Sequence, residues 1–220
     1  MIQLLGLTKS FKTGWGRKVV ADAITATFPT GRSVALLGAN GAGKSTMLGM
    51  IAGTVRPDSG SIYSDGTISW PVGFAGSFHR DLSGAQNTRF IARIYGIDTH
   101  YLTEFVRSFA GLGDHFHMPV RSYSSGMKSR LAFGVSMGVP FDTYLVDEVT
   151  SVGDAAFRRK SNKLFREKMA HSSAVVVSHS MNQLYEICDA GAVLDHGNLI
   201  YYDSVGAAIR HHKRMMKRAN

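Results

Sequence analysis

The sequence predicts an α/β fold that combines a parallel sheet, an antiparallel β layer and a helical insertion. Three patterns in its 220 residues indicate this arrangement. Apolar and polar residues alternate near the start, and short apolar runs later alternate with helical segments. The stretch between about residues 83 and 138 shows helical periodicity only. Because strands that alternate with helices are typical of parallel sheets, we expect one folding unit with a helical lobe inserted into it.

The β layer is predicted from residues 1–11 and 19–28, in which apolar and polar side chains alternate. This alternation is typical of strands with one buried face. The segment from Thr13 to Gly16 lies between them and has the composition of a tight turn. We therefore expect an antiparallel hairpin at the start of the chain.

The parallel sheet is predicted to begin with the apolar run at residues 33–37, which leads into a glycine-rich loop and a helix over residues 44–52. Three later apolar runs lie at residues 143–146, 174–177 and 192–194, with helical segments among them. Ligands of such sheets bind at the carboxyl ends of the strands. We expect the functional site at that edge.

The helical lobe is predicted from residues 85–95, 101–112 and 124–137. Farther along, residues 194–200 have the pattern of a hairpin that turns at His-Gly-Asn, and a last helix rich in Lys and Arg follows. The expected division is an α/β core of residues 1–82 and 139–205, a helical subdomain of residues 83–138 and a basic C-terminal helix of residues 206–220.

Charge and composition narrow the possible functions. The 25 Lys and Arg residues against 16 Asp and Glu give a formal net charge of +9, which favours a nucleotide, a nucleic acid or an anionic membrane face as a neighbour. The single cysteine, Cys188, excludes an internal disulfide and a multi-thiolate zinc site, and is interpreted as a small core residue. With no run of about 18 apolar residues and no signal-peptide pattern, we expect a cytosolic chain unless a partner holds it.

The glycine-rich loop fits the pattern G-x-x-x-x-G-K-[ST] between a strand and a helix, which predicts a phosphate-binding loop. It consists of Gly38, Ala39, Asn40, Gly41, Ala42, Gly43, Lys44, Ser45 and Thr46. In such a loop the backbone N–H groups surround the phosphates, the lysine reaches the β and γ oxygens, and the serine ligates Mg²⁺. A dinucleotide fingerprint is the alternative, but it gives Lys-Ser-Thr no role. A glycine-rich turn with a chance lysine does not account for the flanking strand and helix.

Two further strands end in residues that suit phosphate chemistry. Asp147 and Glu148 follow the run at 143–146, and His179 follows the run at 174–177. An acidic pair at a strand end is often an ordinary solvated loop, and a lone histidine there is usually structural. With a phosphate loop upstream, we interpret Asp147 as the metal-side residue, Glu148 as the general base and His179 as a sensor of the γ-phosphate.

The third helix of the lobe opens with Ser124, Ser125 and Gly126, which leave backbone N–H groups at its positive end. Alone this pattern is only a helix cap. As a second anion site on a separate lobe it has a use if two copies of the chain enclose nucleotides between them.

In this order, these motifs resemble the nucleotide-binding subunits of ATP-binding-cassette (ABC) transporters over nearly the whole chain. Residues 38–46 are similar to Walker A, 124–127 to the LSGGQ signature, Asp147 and Glu148 to the end of Walker B, 151–154 to the D-loop, and His179 to the switch histidine. The resemblance implies the P-loop ATPase fold with a RecA-like core, an antiparallel β layer and an inserted helical subdomain. It also implies that Ser124, Ser125, Gly126 and Asp154 contact nucleotide.

Narrower phrases at residues 68–74, 82–87, 123–127 and 146–154 are similar to the ATPase subunit of bacterial capsular polysaccharide exporters. Related O-antigen exporters often carry a further carbohydrate-binding domain, for which we expect no room in this chain. The alternatives are an exporter of another surface glycan, of O-antigen or teichoic acid type, a soluble ABC ATPase acting on nucleic acid or ribosomes, and an ATP-binding module without turnover. The intact Asp147, Glu148 and His179 speak against the last.

The chain departs from the family pattern in three places. Its signature has the sequence YSSGM, although Ser124 and Gly126 keep the contacts that the family makes to the opposite nucleotide. No glutamine occupies a usual Q-loop position, and His79 is the expected replacement as linker of metal and water. For the aromatic residue that stacks on adenine, Phe11 and Trp15 both qualify, and the preceding Leu-Thr-Lys-Ser phrase favours Phe11.

The resemblance implies a homodimer that closes around two ATP molecules with Mg²⁺, which Ser45 and Asp147 would hold. Glu148, His179 and Lys44 would carry catalysis. The implied partners are a pair of integral membrane permease subunits and, indirectly, periplasmic export components, without nucleic acid. The implied location is the cytoplasmic face of a bacterial inner membrane, to which the chain would bind peripherally while it powers capsular polysaccharide export.

Overall fold

The computed structural model describes residues 1–14, 16–76, 78–147 and 154–219. These residues form two compact units. The first, here called the α/β unit, contains the described parts of 1–71, 141–147 and 169–219. The second, called the helical unit, contains the described parts of 72–140 and 154–168.

The secondary structure alternates as the sequence predicts. The strands are β1 (Ile2–Thr13), β2 (Gly16–Phe28), β3 (Val34–Leu37), β4 (Ser59–Ser64), β5 (Ile68–Pro71), β6 (Thr143–Asp147), β7 (Ser173–Val177), β8 (Ala190–Asp195) and β9 (Asn198–Tyr202). The helices are α1 (Lys44–Ile51), α2 (Gly84–Ile94), α3 (Thr99–Ala110), α4 (Ser125–Gly138), α5 (Ala155–Met169), α6 (Met181–Ile187) and α7 (Val205–Ala219). Two short 3₁₀ helices, Gly113–His117 and Val120–Ser122, precede α4.

The β layer is a three-stranded antiparallel sheet in the order β2-β1-β4. Strands β1 and β2 form the hairpin that the alternating pattern predicts, with Thr13 opposite Gly16 at its end. Strand β4 pairs with the other side of β1, an arrangement that the sequence pattern does not show because this strand has no clear alternation. Trp15, which lies between these two strands in the sequence, is outside the described residues.

The second sheet has the order β5-β6-β7-β3-β8-β9, in which the first five strands are parallel and β9 pairs antiparallel with β8. Its central strands β3 and β7 are buried along their whole length, in keeping with their continuous apolar sequences. The carboxyl ends of β3, β6 and β7 therefore lie at one edge of this sheet. Gly38 directly follows β3, Asp147 is the last residue of β6, and His179 lies two residues after β7.

The core of the α/β unit lies between these sheets and the helices on them. Its largest fully buried side chains are those of Leu4, Leu7, Leu36, Met47, Leu48, Tyr144, Leu145 and Leu184. Cys188 is buried as the sequence analysis expects, and burial, assisted by the neighbouring Asp189 carboxylate, raises its pKa to about 12. Helix α7 packs closely on β8, since a Cβ at Gly191 would lie 2.4 Å from that of Ala208.

The helical unit has its own aromatic core. The Phe109 ring stacks on Phe133 with centroids 5.7 Å apart, and meets Phe157 of α5 edge-on at 5.3 Å. Because Phe157 is part of this core, the unit includes α5 and extends past the expected boundaries of 83 and 138. Ser83 starts α2 with a reciprocal capping box to Gln86. Within the described residues, no helix combines the length and the apolar character needed to cross a bilayer.

Candidate functional site

The phosphate loop connects β3 to α1 and is held in a conformation that glycine permits. Gly41 and Gly43 have φ angles of 75° and 107°, in the region that residues with a Cβ rarely adopt. A Cβ at Gly43 would lie 2.2 Å from Cγ1 of Val20, and one at Gly38 would lie 2.6 Å from the carbonyl oxygen of Leu194. The β layer and β8 therefore both approach the loop closely enough to require glycine at these positions.

Lys44 is the first residue of α1, and its side chain folds back over the loop. Its Nζ donates hydrogen bonds to the carbonyl oxygens of Gly38 and Ala39, at 2.9 and 3.0 Å. No acidic residue occupies the first turn of α1, so its positive N-terminal end keeps its attraction for an anion. The loop thus presents a lysine ammonium and a helix N-terminus together, which is the arrangement that binds phosphate.

A cavity of about 420 Å³ opens over the phosphate loop, within the α/β unit. The side chains and backbone that line it are those of Phe11, Lys18, Val20, Asn40, Gly41, Gly43, Lys44, Ser45, Thr46, Asp147, Val177 and His179. Nine of these twelve residues are predicted site residues, from motifs that lie far apart in the chain. The remaining predicted loop residues, Gly38, Ala39 and Ala42, do not line this cavity.

Asp147 and His179 reach the cavity from neighbouring parallel strands. Asp147 ends β6 and pairs in register with Val177, the last residue of β7. His179 follows Val177 by two positions and lines the same cavity. Glu148, the expected general base, and residues 151–153 of the D-loop lie outside the described residues.

Lys18 and Val20 line the cavity from β2, although neither belongs to a sequence motif. Their place follows from strand register, because Lys18 stands opposite Phe11 in the β1–β2 pairing and Val20 is on the same face two residues later. The alternation of the hairpin indicates which residues share a face, but the contact of that face with the phosphate loop is a tertiary feature. Trp15, the alternative to Phe11, lies outside the described residues.

The residues of the signature segment begin α4 in the helical unit. Ser124 is the N-cap, and its Oγ accepts a hydrogen bond from the N–H of Met127 at 3.2 Å, while Ser125 is the first helical residue. Tyr123, which stands where the family has leucine, is buried, and its hydroxyl donates to the carbonyl oxygen of His115 at 2.6 Å. This departure from the family pattern thus leaves the helix start intact.

A second cavity, of about 450 Å³, lies at the start of α4 within the helical unit. It is lined by Gly111, Leu112, His115, Ser124, Gly126, Met127, Arg130 and Asp154. The structure therefore brings Ser124, Gly126 and Asp154 together, although Ser125 does not line this cavity. A hydrogen bond from the N–H of Phe157, and the charge of Arg130, hold the pKa of Asp154 below its usual value, so this residue is an anion at neutral pH.

His79, expected in place of the Q-loop glutamine, belongs to the helical unit. Its backbone N–H donates to Oδ1 of Asn87 at 2.8 Å, and the Asn87 side-chain amide donates back to the carbonyl oxygen of His79 at 3.1 Å. Its ring Nδ1 accepts a hydrogen bond from the N–H of Asp81 at 3.3 Å. Asn87 is buried in α2, so the backbone of His79 is fixed while the residue itself is exposed.

The residues of the first cavity fit a magnesium ion that is shared with a bound nucleotide. Among the described residues, no group of three His, Cys, Asp or Glu side chains is placed to hold a metal by itself. Mg²⁺ in phosphate-loop proteins needs only a hydroxyl and a carboxylate besides phosphate and water oxygens. Ser45 and Asp147 supply such a pair on the walls of one cavity.

Known proteins that are similar to this chain are ATP-binding proteins of transport and export systems. Residues 21–151 match the family model described as ABC transporter. The chain is 50% identical over 216 residues to the polysialic acid transport ATP-binding protein KpsT of Escherichia coli, covering 97% of this chain and 96% of that protein. It is 39% identical to the capsule polysaccharide export ATP-binding protein CtrD of Neisseria meningitidis serogroup B, covering 98% and 100%. It is 35% identical to the O-antigen export system ATP-binding protein RfbB of Klebsiella pneumoniae, covering 94% and 87%.

Solved structures confirm the fold. The dimeric post-hydrolysis state of the ATP-binding cassette MJ0796, bound to ADP and phosphate, superposes with a TM-score of 0.76 at 20% identity, covering 93% of this chain and 99% of that one. The predicted α/β architecture with its β layer and helical insertion is therefore correct. Because the family model spans more than half of the chain and the relatives align over nearly all of it, the protein belongs to the ABC transporter family.

Proposed function

We propose that the protein is the ATP-hydrolysing subunit of an exporter that moves capsular polysaccharide across the bacterial inner membrane through a separate membrane subunit. One observation carries this proposal. The chain is 50% identical to a polysialic acid transport ATP-binding protein and 39% identical to a capsule polysaccharide export ATP-binding protein, over 96% and 100% of their lengths. The identity to the O-antigen export protein, 35%, is lower, which favours capsular polysaccharide over the alternative glycans.

ATP would bind with its triphosphate in the loop of residues 38–46 and its adenine against Phe11. The loop offers the amide groups, the Lys44 ammonium and the helix N-terminus that attract polyphosphate. The Phe11 side chain is 42% exposed on the same cavity wall, which leaves ring surface for a base to stack on. The β1–β2 hairpin would therefore bind the base of the nucleotide, and the loop would bind its phosphates.

Mg²⁺ would be held by Ser45 and Asp147 together with phosphate oxygens, and would offset negative charge on the phosphates. The chain's own groups do the remaining work. Lys44 would stabilise charge that develops on the β and γ oxygens, and His179, on the same cavity wall, would donate a hydrogen bond to the γ-phosphate. Glu148 would orient or deprotonate the attacking water.

The ATPase is proposed to act as a homodimer, with each ATP between Lys44 and Ser45 of one copy and the signature residues of the other. The start of α4 supports this role, because Ser124 and Ser125 are exposed and the first N–H groups of a helix have no intrahelical acceptor; of these, the N–H of Met127 donates to Ser124 Oγ. A dimer of this kind would give the cavity at the start of α4 a ligand, the nucleotide of the other copy. The solved relative MJ0796 is a dimer, in agreement with this arrangement.

Replacement of Glu148 tests the catalytic part of the proposal. Glu148→Gln removes the carboxylate base while it keeps size and polarity, so ATP turnover should fall to background. ATP binding and closure of the dimer should persist, as measured by equilibrium binding and by ATP-dependent dimerisation in gel filtration. Unchanged turnover would exclude Glu148 as the base.

The membrane subunits are proposed to contact the helical unit. Large apolar side chains that are exposed in the described part of this unit include those of Phe74, Phe90 and Ile94, at 52%, 56% and 60%. Phe90 and Ile94 are four residues apart on α2 and share one face of it. Phe78 and Leu82, which lie between Phe74 and α2 in the sequence, are half-buried and offer less apolar surface. Binding there would keep the ATPase on the cytoplasmic face, with only indirect contact to periplasmic components.

Affinity purification tests the export assignment. The tagged chain is extracted from membranes of its native cell in mild detergent, and co-purifying proteins are identified and quantified. The proposal expects a multi-spanning membrane protein in about equal amount, whose loss removes polysaccharide from the cell surface. Co-purification of ribosomal proteins or nucleic acid in its place would contradict export and favour the soluble ABC ATPase.

A further inference from the structure

We propose that Lys18 is a second cationic ligand of the nucleotide phosphates, placed over the phosphate loop by the β1–β2 hairpin. This inference rests on the proposed binding of ATP at the 420 Å³ cavity, and adds a contact that the loop itself does not supply. One hairpin would then hold both ends of the nucleotide, the base through Phe11 and the phosphates through Lys18.

The position of Lys18 is defined by two contacts between β2 and the loop. Val20 is buried, and its Cγ1 lies 2.2 Å from the point where a Cβ of Gly43 would stand. Lys18 is on the same face of β2, and its Nζ lies 3.3 Å from the point where a Cβ of Gly41 would stand. Val20 thus packs β2 against the loop, and the ammonium of Lys18 lies next to Gly41.

The strand register places Lys18 beside the proposed base contact. Phe11 and Lys18 are direct partners in the antiparallel pairing of β1 with β2, and both line the cavity. Partners of this kind project their side chains to the same face. A nucleotide that stacks on Phe11 and reaches the loop must therefore pass the ammonium of Lys18.

Charge pairing within the hairpin distinguishes Lys18 from its neighbours. Lys9 forms an ion pair with Asp58 at 2.9 Å, and Arg17 donates through Nε to Ser10 Oγ at 3.0 Å. Among the described residues, no carboxylate forms an ion pair with Lys18. Its exposed ammonium faces a cavity that already contains the Lys44 ammonium, so a polyanion is the ligand that this wall attracts.

The contact of Lys18 with phosphate should make a moderate contribution to nucleotide affinity. This contribution should fall as salt rises, because Lys18 is exposed to solvent. The test is equilibrium binding of ATP, ADP and adenosine to the full chain, at low and high salt, for wild type and Lys18→Gln. We expect ATP and ADP to bind about fivefold more weakly to Lys18→Gln at low salt, with a smaller difference at high salt. Adenosine, which has no phosphate, should bind both proteins equally.

Lys12→Gln is the matched control. Lys12 is next to Phe11 in β1, so its side chain points to the opposite face, and it does not line the cavity. The Lys12→Gln variant should bind ATP as wild type does. Lys18→Arg, which keeps the positive charge, should bind ATP with most of the wild-type affinity. Unchanged ATP affinity in Lys18→Gln, or an equal loss for adenosine, would overturn the contact alone. Failure of the wild-type chain to bind ATP would overturn the proposed function as well.

Discussion

Arg130 and Asp154 form an ion pair in which Nη2 of the arginine lies 2.6 Å from Oδ2 of the aspartate. The other oxygen of Asp154 accepts a hydrogen bond from the N–H of Phe157 at 2.8 Å, at the start of α5. The guanidinium also lies over the Phe157 ring, 5.0 Å from its centroid. The pair therefore ties α4, which begins with the signature segment, to the start of α5.

Removal of this tie should slow ATP turnover more than it changes ATP binding. In Arg130→Gln the Asp154 carboxylate loses its charged partner at the cavity that Ser124 and Gly126 also line, and we expect turnover to fall roughly tenfold because the geometry proposed to hold the partner's ATP loosens. ATP affinity of the isolated chain should stay as in wild type, since Arg130 is outside the phosphate cavity. Steady-state kinetics and binding measure the two effects.

Arg107→Gln is the control for Arg130→Gln. Arg107 also lies in the helical unit, but its ion pair is with Glu104, and both of these residues are on α3. It should leave turnover unchanged. Equal losses in both variants would mean that the effect comes from general loss of surface ion pairs.

Ser124 offers a test of the proposed dimer. Ser124→Asp keeps a good N-cap for α4 but places a negative charge where the partner's ATP is expected. We expect turnover to fall at least tenfold through repulsion of the phosphates. The ATP affinity of the monomeric chain should not change. Ser124→Asn also caps the helix and has nearly the same size as Ser124→Asp, so it should retain most of the turnover. Weaker ATP binding by monomeric Ser124→Asp would contradict the proposed dimer.

Asp58 should make stability depend on pH in a narrow acidic range. Hydrogen bonds from Lys9 and from the backbone N–H of Ser10 lower the pKa of Asp58 from 3.8 to about 2. Because the folded protein favours the ionised form, this contribution is complete above the unfolded pKa and is lost as pH falls through about 2. Asp58→Asn should therefore be less stable than wild type at pH 7. Urea unfolding should show this difference shrink between about pH 4 and 2, and a constant difference would contradict the assignment.

Gly191 tests the packing of the basic C-terminal helix on the sheet. A Cβ there would lie 2.4 Å from Cβ of Ala208, so Gly191→Ala should cost about 1–3 kcal/mol of unfolding free energy through overpacking. Adding Ala208→Gly should recover part of this loss, because it removes the clashing methyl. Gly14→Ala, where a Cβ meets nothing within 4 Å, should be nearly neutral. The unfolding free energies are measured with denaturant, and equal values for Gly191→Ala and wild type would contradict this packing.

The parts of the fold that the sequence predicts are those with a local signal. Continuous apolar runs predict β3 and β7, and the chemistry of the phosphate loop predicts the turn between β3 and α1. The grouping of α5 with the helical unit depends on the contacts of Phe157 with Phe109 and Phe133, which are distant in sequence and leave no periodic pattern.

The candidate site shows the same division. Phe11, Asp147 and His179 were predicted from motifs or from the family resemblance, and the structure brings them to one cavity with the loop. Lys18 has no motif, and its place depends on strand register and on the close approach of Val20 to Gly43. Such contacts emerge only when the hairpin packs on the loop.

The most direct test of the account is surface polysaccharide in cells whose only copy of this protein is Lys44→Ala. This change removes the ammonium at the phosphate loop, so ATP turnover should fail while protein level and association with the membrane subunit remain. The account predicts loss of capsule from these cells, measured by binding of a capsule-specific antibody, and normal capsule in cells with Lys12→Ala. A normal capsule in the Lys44→Ala cells would contradict the claim that ATP turnover at this cavity powers export.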